Sequence, residues 1–259
     1  ERTMGGLCGT FLNFLGRRVE PRFFDRVASG LAQPIETKGK GGLLLRADLY
    51  ETGDKADPIV LLFHQVNSSR GEYGEVAPRL VEAGFNCLAL DQRVGSFWSG
   101  IRNETAARAK ETGKRANNMA AKSDLEHAVK WVRKLGFDGK LGVVGSSYSA
   151  SLALYLGKGK RAPDAIVSFS PGDYLEPKGS VFKAARRVEQ PVLVICPEIE
   201  AVKARAVFDA LTLDEGSKEL FVQEHGVHGV STLYRTPTAE AAWSKLLDFM
   251  QKHLRPAAD

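Results

Sequence analysis

The sequence lacks the features that mark membrane spans, disulfide scaffolds and metal centres. None of its apolar runs approaches the roughly 20 residues that a helix needs to cross a bilayer. It has three cysteines, an odd number without a C-x-x-C pair, which argues against a disulfide framework. Its five histidines include neither an H-E-x-x-H pattern nor a cluster with metal-ligand spacing. We therefore expect no membrane span, no metal and no cofactor.

The cellular compartment is not indicated by the sequence. Cys87 and Cys196 lie in apolar, strand-like runs and are expected to be buried free thiols, whereas Cys8 is undecided. Numbering begins at Glu1 rather than at a methionine, so removal of a signal peptide stays open. Cytoplasmic and exported locations are both compatible with these observations.

Composition predicts an ordinary globular protein with one core. The 259 residues are 43% hydrophobic and 26% charged, a length and balance that favour a single large α/β domain. The net charge is +5, but lysines and arginines are mostly scattered among acids. We therefore expect a small-molecule partner rather than a nucleic acid, with monomer and homodimer both open.

Short apolar runs alternate with helical patterns along most of the chain. A loosely alternating strand at 43–50 is followed by runs at 59–64, 85–90, 141–145, 165–169, 191–197 and 219–222. Continuous apolar runs are typical of strands that are covered on both faces. A capping box, Ser123 to Glu126, predicts the start of one intervening helix. The expected fold is a mostly parallel central sheet with helices on both faces.

Two segments do not show this alternation of strands and helices. Residues 1–42 are interpreted as a helical extension that packs on the main domain, 43–259, with Pro34 ending its second helix. Residues 92–119 form a basic insert with two acids, Glu104 and Glu111, against six cations: Arg93, Arg102, Arg108, Lys110, Lys114 and Arg115. Most of these charges are expected to be solvated. An anion-attracting rim, with a preference for anionic substrates, is the alternative hypothesis.

A serine turn follows the apolar run at 141–145. The stretch Gly145-Ser146-Ser147-Tyr148-Ser149 leads into a second apolar segment that predicts a helix. It resembles the G-x-S-x-G nucleophile elbow of the α/β-hydrolase superfamily, with Ser149 in place of the last glycine. The resemblance implies that Ser147 is a nucleophile and that the Tyr148 N–H stabilises an oxyanion.

The superfamily also requires a histidine and an acid after the serine in chain order. Gly226-Val227-His228-Gly229 resembles the G-x-H-G loop of the catalytic histidine, which implies His228, with His225 as the fallback. Glu200 takes the place of the aspartate in the family's G-x-x-D pattern. Glu198 and Asp173 remain alternative acids.

The second oxyanion donor is expected after the run at 59–64. Phe63-His64-Gln65-Val66 resembles the family's His-Gly stretch, which implies the backbone N–H of Gln65 or Val66. His64 is interpreted as structural rather than as a proton carrier.

The resemblance covers residues 43–254. Within the superfamily, the chain is similar to the small, nearly lid-free members of the dienelactone-hydrolase-like and esterase groups. It implies an α/β-hydrolase fold and a serine hydrolase that cleaves small carboxylic esters through an acyl-enzyme. A serine peptidase or acyl-peptide hydrolase is the alternative enzyme, because the same triad cleaves amides. The departures at Ser149 and Glu200 favour a third hypothesis, a non-catalytic binding protein with this fold.

Overall fold

The computed structural model describes residues 32–255. These residues contain ten strands: β1 (Gln33–Lys38), β2 (Leu44–Tyr50), β3 (Ile59–Phe63), β4 (Asn86–Leu90), β5 (Phe97–Trp98), β6 (Ile101–Arg102), β7 (Leu141–Ser146), β8 (Ala165–Phe169), β9 (Val192–Pro197) and β10 (Lys218–Gln223). The seven α-helices within them are α1 (Ala77–Glu82), α2 (Glu104–Glu111), α3 (Lys122–Lys134), α4 (Tyr148–Ala153), α5 (Ser180–Ala185), α6 (Ala201–Asp209) and α7 (Ala239–Leu254).

Eight of the strands form one sheet in the order β1-β2-β4-β3-β7-β8-β9-β10. Strand β2 pairs antiparallel with both β1 and β4, and every other neighbour pair is parallel. From β3 the chain moves outward to β4 and then returns to β7 on the other side of β3. Ligands bind at such a reversal in open α/β sheets, outside the carboxyl ends of the strands. The end of β3 beside the end of β7 is therefore the expected place for a site.

Helices cover both faces of the sheet, so the side chains on both faces of each central strand are buried and mostly apolar. Helices α3, α5 and α6 contribute to the core on one face, and α1 and α7 contribute to the core on the other. In β3, Ile59 and Leu61 enter the first core while Val60 and Leu62 enter the second. Side chains alternate across a strand, so covering both faces demands a continuous apolar run. The predicted fold class is confirmed.

The expected helical character of 1–42 is wrong at its one described strand. Gln33–Lys38 is an edge strand that pairs with β2, and Pro34 lies inside it. An edge strand tolerates proline because one row of its N–H groups faces away from the sheet. Residues 1–31 of the proposed extension lie outside the described residues.

The predicted capping box is also wrong. Helix α3 begins at Lys122, and the Ser123 hydroxyl donates backward to the Ala120 carbonyl at 3.0 Å. The Asp124 carboxylate pairs with Arg93 rather than with the helix end. Local sequence spacing predicted the helix, but the helix begins one residue before Ser123, so this serine lies in its first turn and not at the N-cap.

Cys87 and Cys196 are buried free thiols, as expected. Cys8 lies outside the described residues. Between residues 32 and 255, none of the helices is long and apolar enough to cross a membrane.

Candidate active site

The turn between β7 and α4 holds Ser147 in a strained conformation. Its φ of 58° and ψ of −120° are unusual for a non-glycine residue and cost about 1–3 kcal/mol. The Ser147 N–H donates to the Phe169 carbonyl on the neighbouring strand at 2.8 Å, which helps to hold this conformation. A Cβ at Gly145 would lie 2.5 Å from the Ser149 carbonyl oxygen, so glycine is required there.

This geometry projects the Ser147 side chain from the end of β7 and leaves it 6% exposed. Tyr148 is the first residue of α4, where backbone N–H groups have no acceptor within the helix. Within residues 32–255 the Ser147 hydroxyl makes no hydrogen bond, and the His228 imidazole bonds elsewhere through Nδ1. Catalytic hydrogen bonds are often long or poorly aligned before substrate binds.

His228 and Glu200 lie together at the carboxyl ends of β9 and β10. His228 Nδ1 is 2.6 Å from Glu200 Oε1, and the carboxylate accepts this hydrogen bond. The side chains are 38% and 20% exposed, so the pair is partly shielded from water. Burial opposes ionisation of Glu200, but the hydrogen bond and charge of His228 more than offset it, and the Glu200 pKa lies below its ordinary value. The surroundings of Glu200 therefore favour its anionic form, which accepts the hydrogen bond from this imidazole.

The other candidates for the acid and the base lie elsewhere. Glu198 is exposed, and its carboxylate accepts a 3.4 Å hydrogen bond from the His225 backbone N–H. His225 is itself exposed. The Asp173 carboxylate accepts from the Gly179 backbone N–H at 2.8 Å. Of the three acids considered, Glu200 is the one in contact with His228.

The loop that carries His228 packs directly on the serine turn. The Val230 N–H donates to Ser146 Oγ at 3.0 Å, and the Gly229 N–H donates to Ser170 Oγ at 3.0 Å. Gly229 has a φ of 70°, and a Cβ there would lie 2.5 Å from Ser146 Oγ. Glycine is required for both reasons. Through Ser146, the histidine loop is bonded to the residue that precedes Ser147.

His64 is buried and structural. Burial lowers the pKa of His64 to about 4, so the imidazole is neutral near pH 7. Its Nδ1–H donates to the Gln65 carbonyl at 2.7 Å. Its Nε2 accepts from the Gln92 N–H at 3.2 Å and from Asn103 Nδ2 at 3.1 Å.

The two expected oxyanion donors differ in availability. The Gln65 N–H is already bonded to Glu72 Oε2 at 2.8 Å. Within residues 32–255 the Val66 N–H has no hydrogen-bond partner. A trans peptide directs its C=O and N–H to opposite sides, so the bond from His64 to the Gln65 carbonyl also orients the Val66 N–H. Of the two, Val66 has the free donor.

The basic insert contains regular secondary structure, and more of its positive charges are paired with acidic side chains than expected. It contains the β5–β6 hairpin and α2. Arg93 is buried against Asp124, and Arg108 pairs with Glu36 and Glu104. The expectation of solvated charges is therefore wrong for Arg93, because its acidic partner lies outside the insert. The exposed cations of the insert are Arg102, Lys110 and Arg115.

The sequence did not single out several residues that shape this region. Glu72, Ser170, Gln92 and Asn103 all bond to the strand-end loops. Glu72 lies in the connection between β3 and α1, on a short 3-10 helix, Arg70–Tyr73. The partners of these side chains are distant in sequence, so short motifs carry no signal for them. Residues 32–255 contain no group of three or more His, Cys, Asp or Glu side chains that could hold a metal ion.

The sheet order and the strained serine turn define an α/β-hydrolase. Residues 45–254 match the dienelactone hydrolase family, and the chain belongs to that family. It is accordingly a hydrolase. No curated protein matches the sequence significantly.

Solved structures share the fold at low sequence identity. An esterase of Pyrococcus furiosus has a TM-score of 0.69 and 20% identity, over 88% of this chain and 95% of the esterase chain. A dienelactone hydrolase of Anabaena variabilis has a TM-score of 0.67 and 20% identity, over 86% of this chain and 99% of that chain. An acylaminoacyl peptidase of Pyrococcus horikoshii has a TM-score of 0.62 and 12% identity, over 94% of this chain but 45% of that chain.

Proposed function

We propose that this hydrolase cleaves carboxylic esters through an acyl-enzyme on Ser147. The observation that carries the proposal is the 2.6 Å contact between His228 Nδ1 and Glu200 Oε1, on a loop bonded to the residue before Ser147. A carboxylate on Nδ1 leaves Nε2 as the basic nitrogen, the tautomer that a serine needs beside it.

In the proposed reaction the Ser147 oxygen attacks the acyl carbon, and His228 Nε2 accepts the hydroxyl proton. The carbonyl oxygen becomes an oxyanion that accepts hydrogen bonds from the Tyr148 and Val66 N–H groups. Collapse breaks the bond to the alcohol, which takes the proton from His228. Water then attacks the acyl-enzyme, with its proton passing to His228, and releases the acid and Ser147.

We expect the ester to be neutral and partly apolar. The exposed large apolar side chains within residues 32–255 are Val66, Phe97, Ile199 and Val202, at 39%, 56%, 92% and 86% exposure. All four follow the carboxyl ends of β3, β4 or β9, the edge that also carries Ser147 and His228. An apolar edge gains free energy when it covers an acyl chain or an alcohol group.

The test compares wild type with Ser147→Ala on p-nitrophenyl acetate and p-nitrophenyl butyrate. Wild type should turn over both esters, and Ser147→Ala should lose about 10⁴-fold or more of kcat. Ser180→Ala is the matched control, because it removes a serine hydroxyl that has no hydrogen-bond partner within the described residues and leaves Ser147 in place.

A fluorophosphonate probe separates the remaining possibilities, since it labels only an activated serine. Labelling of Ser147 together with faster hydrolysis of amides than of esters would favour the peptidase alternative. Absence of both labelling and turnover would favour a non-catalytic binding protein and overturn the proposal.

A further inference from the structure

A buried carboxylate that takes no part in the proposed reaction lies between the loop after β3 and the serine turn after β7. Glu72 is 1% exposed and belongs to the short 3-10 helix Arg70–Tyr73. Its Oε2 accepts from the Gln65 N–H at 2.8 Å, and its Oε1 accepts from Ser146 Oγ at 2.7 Å. The Gln65 side-chain amide adds a third hydrogen bond at 3.3 Å. Two of the donors belong to Gln65, on the loop that carries the Val66 N–H, and the third belongs to Ser146, the residue before Ser147.

This carboxylate is held without a cationic partner. None of the ion pairs within residues 32–255 involves Glu72, and the titratable groups around it are His228 and the phenols of Tyr73, Tyr148 and Tyr234. Burial raises the Glu72 pKa, although the hydrogen bonds lower it in part. An apolar residue of similar volume would fill the same space without the free-energy cost of removing a carboxylate from water. The three donors indicate a specific use for a strong acceptor at this place.

The hydrogen bonds of Glu72 continue beyond its direct partners. Ser146 donates to Glu72 and accepts from the Val230 N–H. A relay of two hydrogen bonds therefore connects the carboxylate, through Ser146, to the loop of His228. On its other side Glu72 holds the peptide between His64 and Gln65, while the His64 ring holds the next peptide. Two successive peptide planes are thereby fixed, and the second one carries the free Val66 N–H.

We propose that Glu72 is a positioning residue that holds the Val66 N–H, the serine turn and the His228 loop in one arrangement. The inference rests on the proposed esterase function. Glu72 does not touch the reacting atoms, so its removal should weaken transition-state stabilisation and leave ground-state binding largely intact.

The test uses Glu72→Gln, which keeps the size of the side chain but puts an N–H donor where one acceptor was. Glu75→Gln is the matched control, because Glu75 is an exposed acid three residues away. We expect kcat on p-nitrophenyl butyrate to fall about 10–100-fold in Glu72→Gln with KM changed less than about threefold. This loss is smaller than the roughly 10²–10³-fold that follows removal of an oxyanion-hole donor itself, because the donor stays present and is only less well positioned. Glu75→Gln should match wild type.

Two further measurements distinguish positioning from a purely structural role. A trifluoromethyl ketone forms an oxyanion adduct with a catalytic serine, so its inhibition constant should rise in Glu72→Gln by a factor close to the loss in kcat/KM. Ser146→Ala breaks the same relay from the other side. Its combination with Glu72→Gln should cost less than the product of the two single losses.

The inference is overturned if Glu72→Gln keeps wild-type kcat, or if its inhibition constant is unchanged while kcat falls. If Glu72→Gln does not fold, Ser146→Ala alone decides: a wild-type kcat and inhibition constant overturn the inference, and parallel losses support it. Fluorophosphonate labelling of wild type keeps the two proposals apart, because an unlabelled wild type refutes the esterase function itself.

Discussion

Ser149 Oγ donates a 2.6 Å hydrogen bond to the His64 carbonyl, across 85 residues of sequence. The same oxygen accepts from Gln92 Nε2 at 2.6 Å. Ser149 replaces the last glycine of the family pattern, and its hydroxyl links the serine turn to the loop with the Val66 N–H. The substitution therefore adds a hydrogen-bonded connection between two parts of the candidate site.

Removing that hydroxyl should weaken the fold. In Ser149→Ala the buried His64 carbonyl and the Gln92 amide each lose a partner, so we expect the free energy of unfolding to fall by about 1–3 kcal/mol. Urea denaturation measures the change. Ser180→Ala is the control, since the buried Ser180 hydroxyl has no partner within the described residues, and it should change stability by less than about 0.5 kcal/mol. Equal effects of both substitutions would contradict the assignment.

The acid of the proposed triad can be identified by a pair of neighbouring variants. Glu200→Gln removes the anion that bonds to His228 Nδ1, and we expect kcat to fall about 10²–10⁴-fold with little change in KM. Glu198→Gln alters an exposed carboxyl two residues away and should leave kcat within about twofold of wild type. Ester kinetics of both variants decide the matter, and a larger loss in Glu198→Gln would transfer the role to Glu198.

The fold was predictable because its signals are local. Each central strand appears in the sequence as an apolar run, since helices cover both faces of the sheet. The edge strand Gln33–Lys38 was missed because it is largely exposed and contains Pro34, both typical of a segment outside a sheet. The β5–β6 hairpin was missed because its strands have two residues each.

The candidate site was predictable only where a short motif carries the chemistry. Ser147, Glu200 and His228 each follow a strand, and the sequence order matches that of the superfamily. Glu72 had no comparable signal, because its partners Gln65 and Ser146 are 7 and 74 residues away and a charged loop residue is ordinarily solvated. Contacts between buried polar groups that are distant in sequence form only in the folded protein, so a short sequence motif does not predict them.

Charge selectivity should not depend on Arg108. Its guanidinium is engaged by Glu36 at 2.7 Å and by Glu104 at 3.2 Å, so little of its field is available to a substrate. Arg108→Gln should lower the free energy of unfolding by about 0.5–1 kcal/mol and leave the ratio of rates on neutral and anionic esters unchanged within about twofold.

Arg102→Gln is the companion variant, because Arg102 is exposed and makes no ion pair within residues 32–255. The ratio of rates on p-nitrophenyl butyrate and on an ester with a free carboxylate measures the effect of both substitutions. We expect no change in either variant. A shift of more than about fivefold in Arg102→Gln would restore the hypothesis that the insert attracts anionic substrates.

Acid should destabilise the fold through His64. Burial lowers the pKa of His64 to about 4, whereas an unfolded chain binds a proton on histidine near pH 6.5. The unfolded state therefore takes up the proton first, and the stabilising contribution of the neutral ring is lost as pH falls from about 6.5 to about 4. Complete loss amounts to about 3 kcal/mol.

The measurement is the difference in unfolding free energy between wild type and His64→Asn from pH 4 to pH 7.5. Asparagine keeps a donor near the Nδ1 position but does not titrate, so the stability advantage of wild type over the variant should shrink as pH falls. Burial shifts the pKa of Glu72 in the opposite sense, but Glu72 is present in both proteins and largely cancels in the difference. His225→Asn, at an exposed histidine, should show no such convergence with wild type. A constant difference between wild type and His64→Asn over this range would mean that His64 binds a proton equally well in the folded and unfolded states. The assignment of Nε2 as an acceptor for Gln92 and Asn103 would then fail.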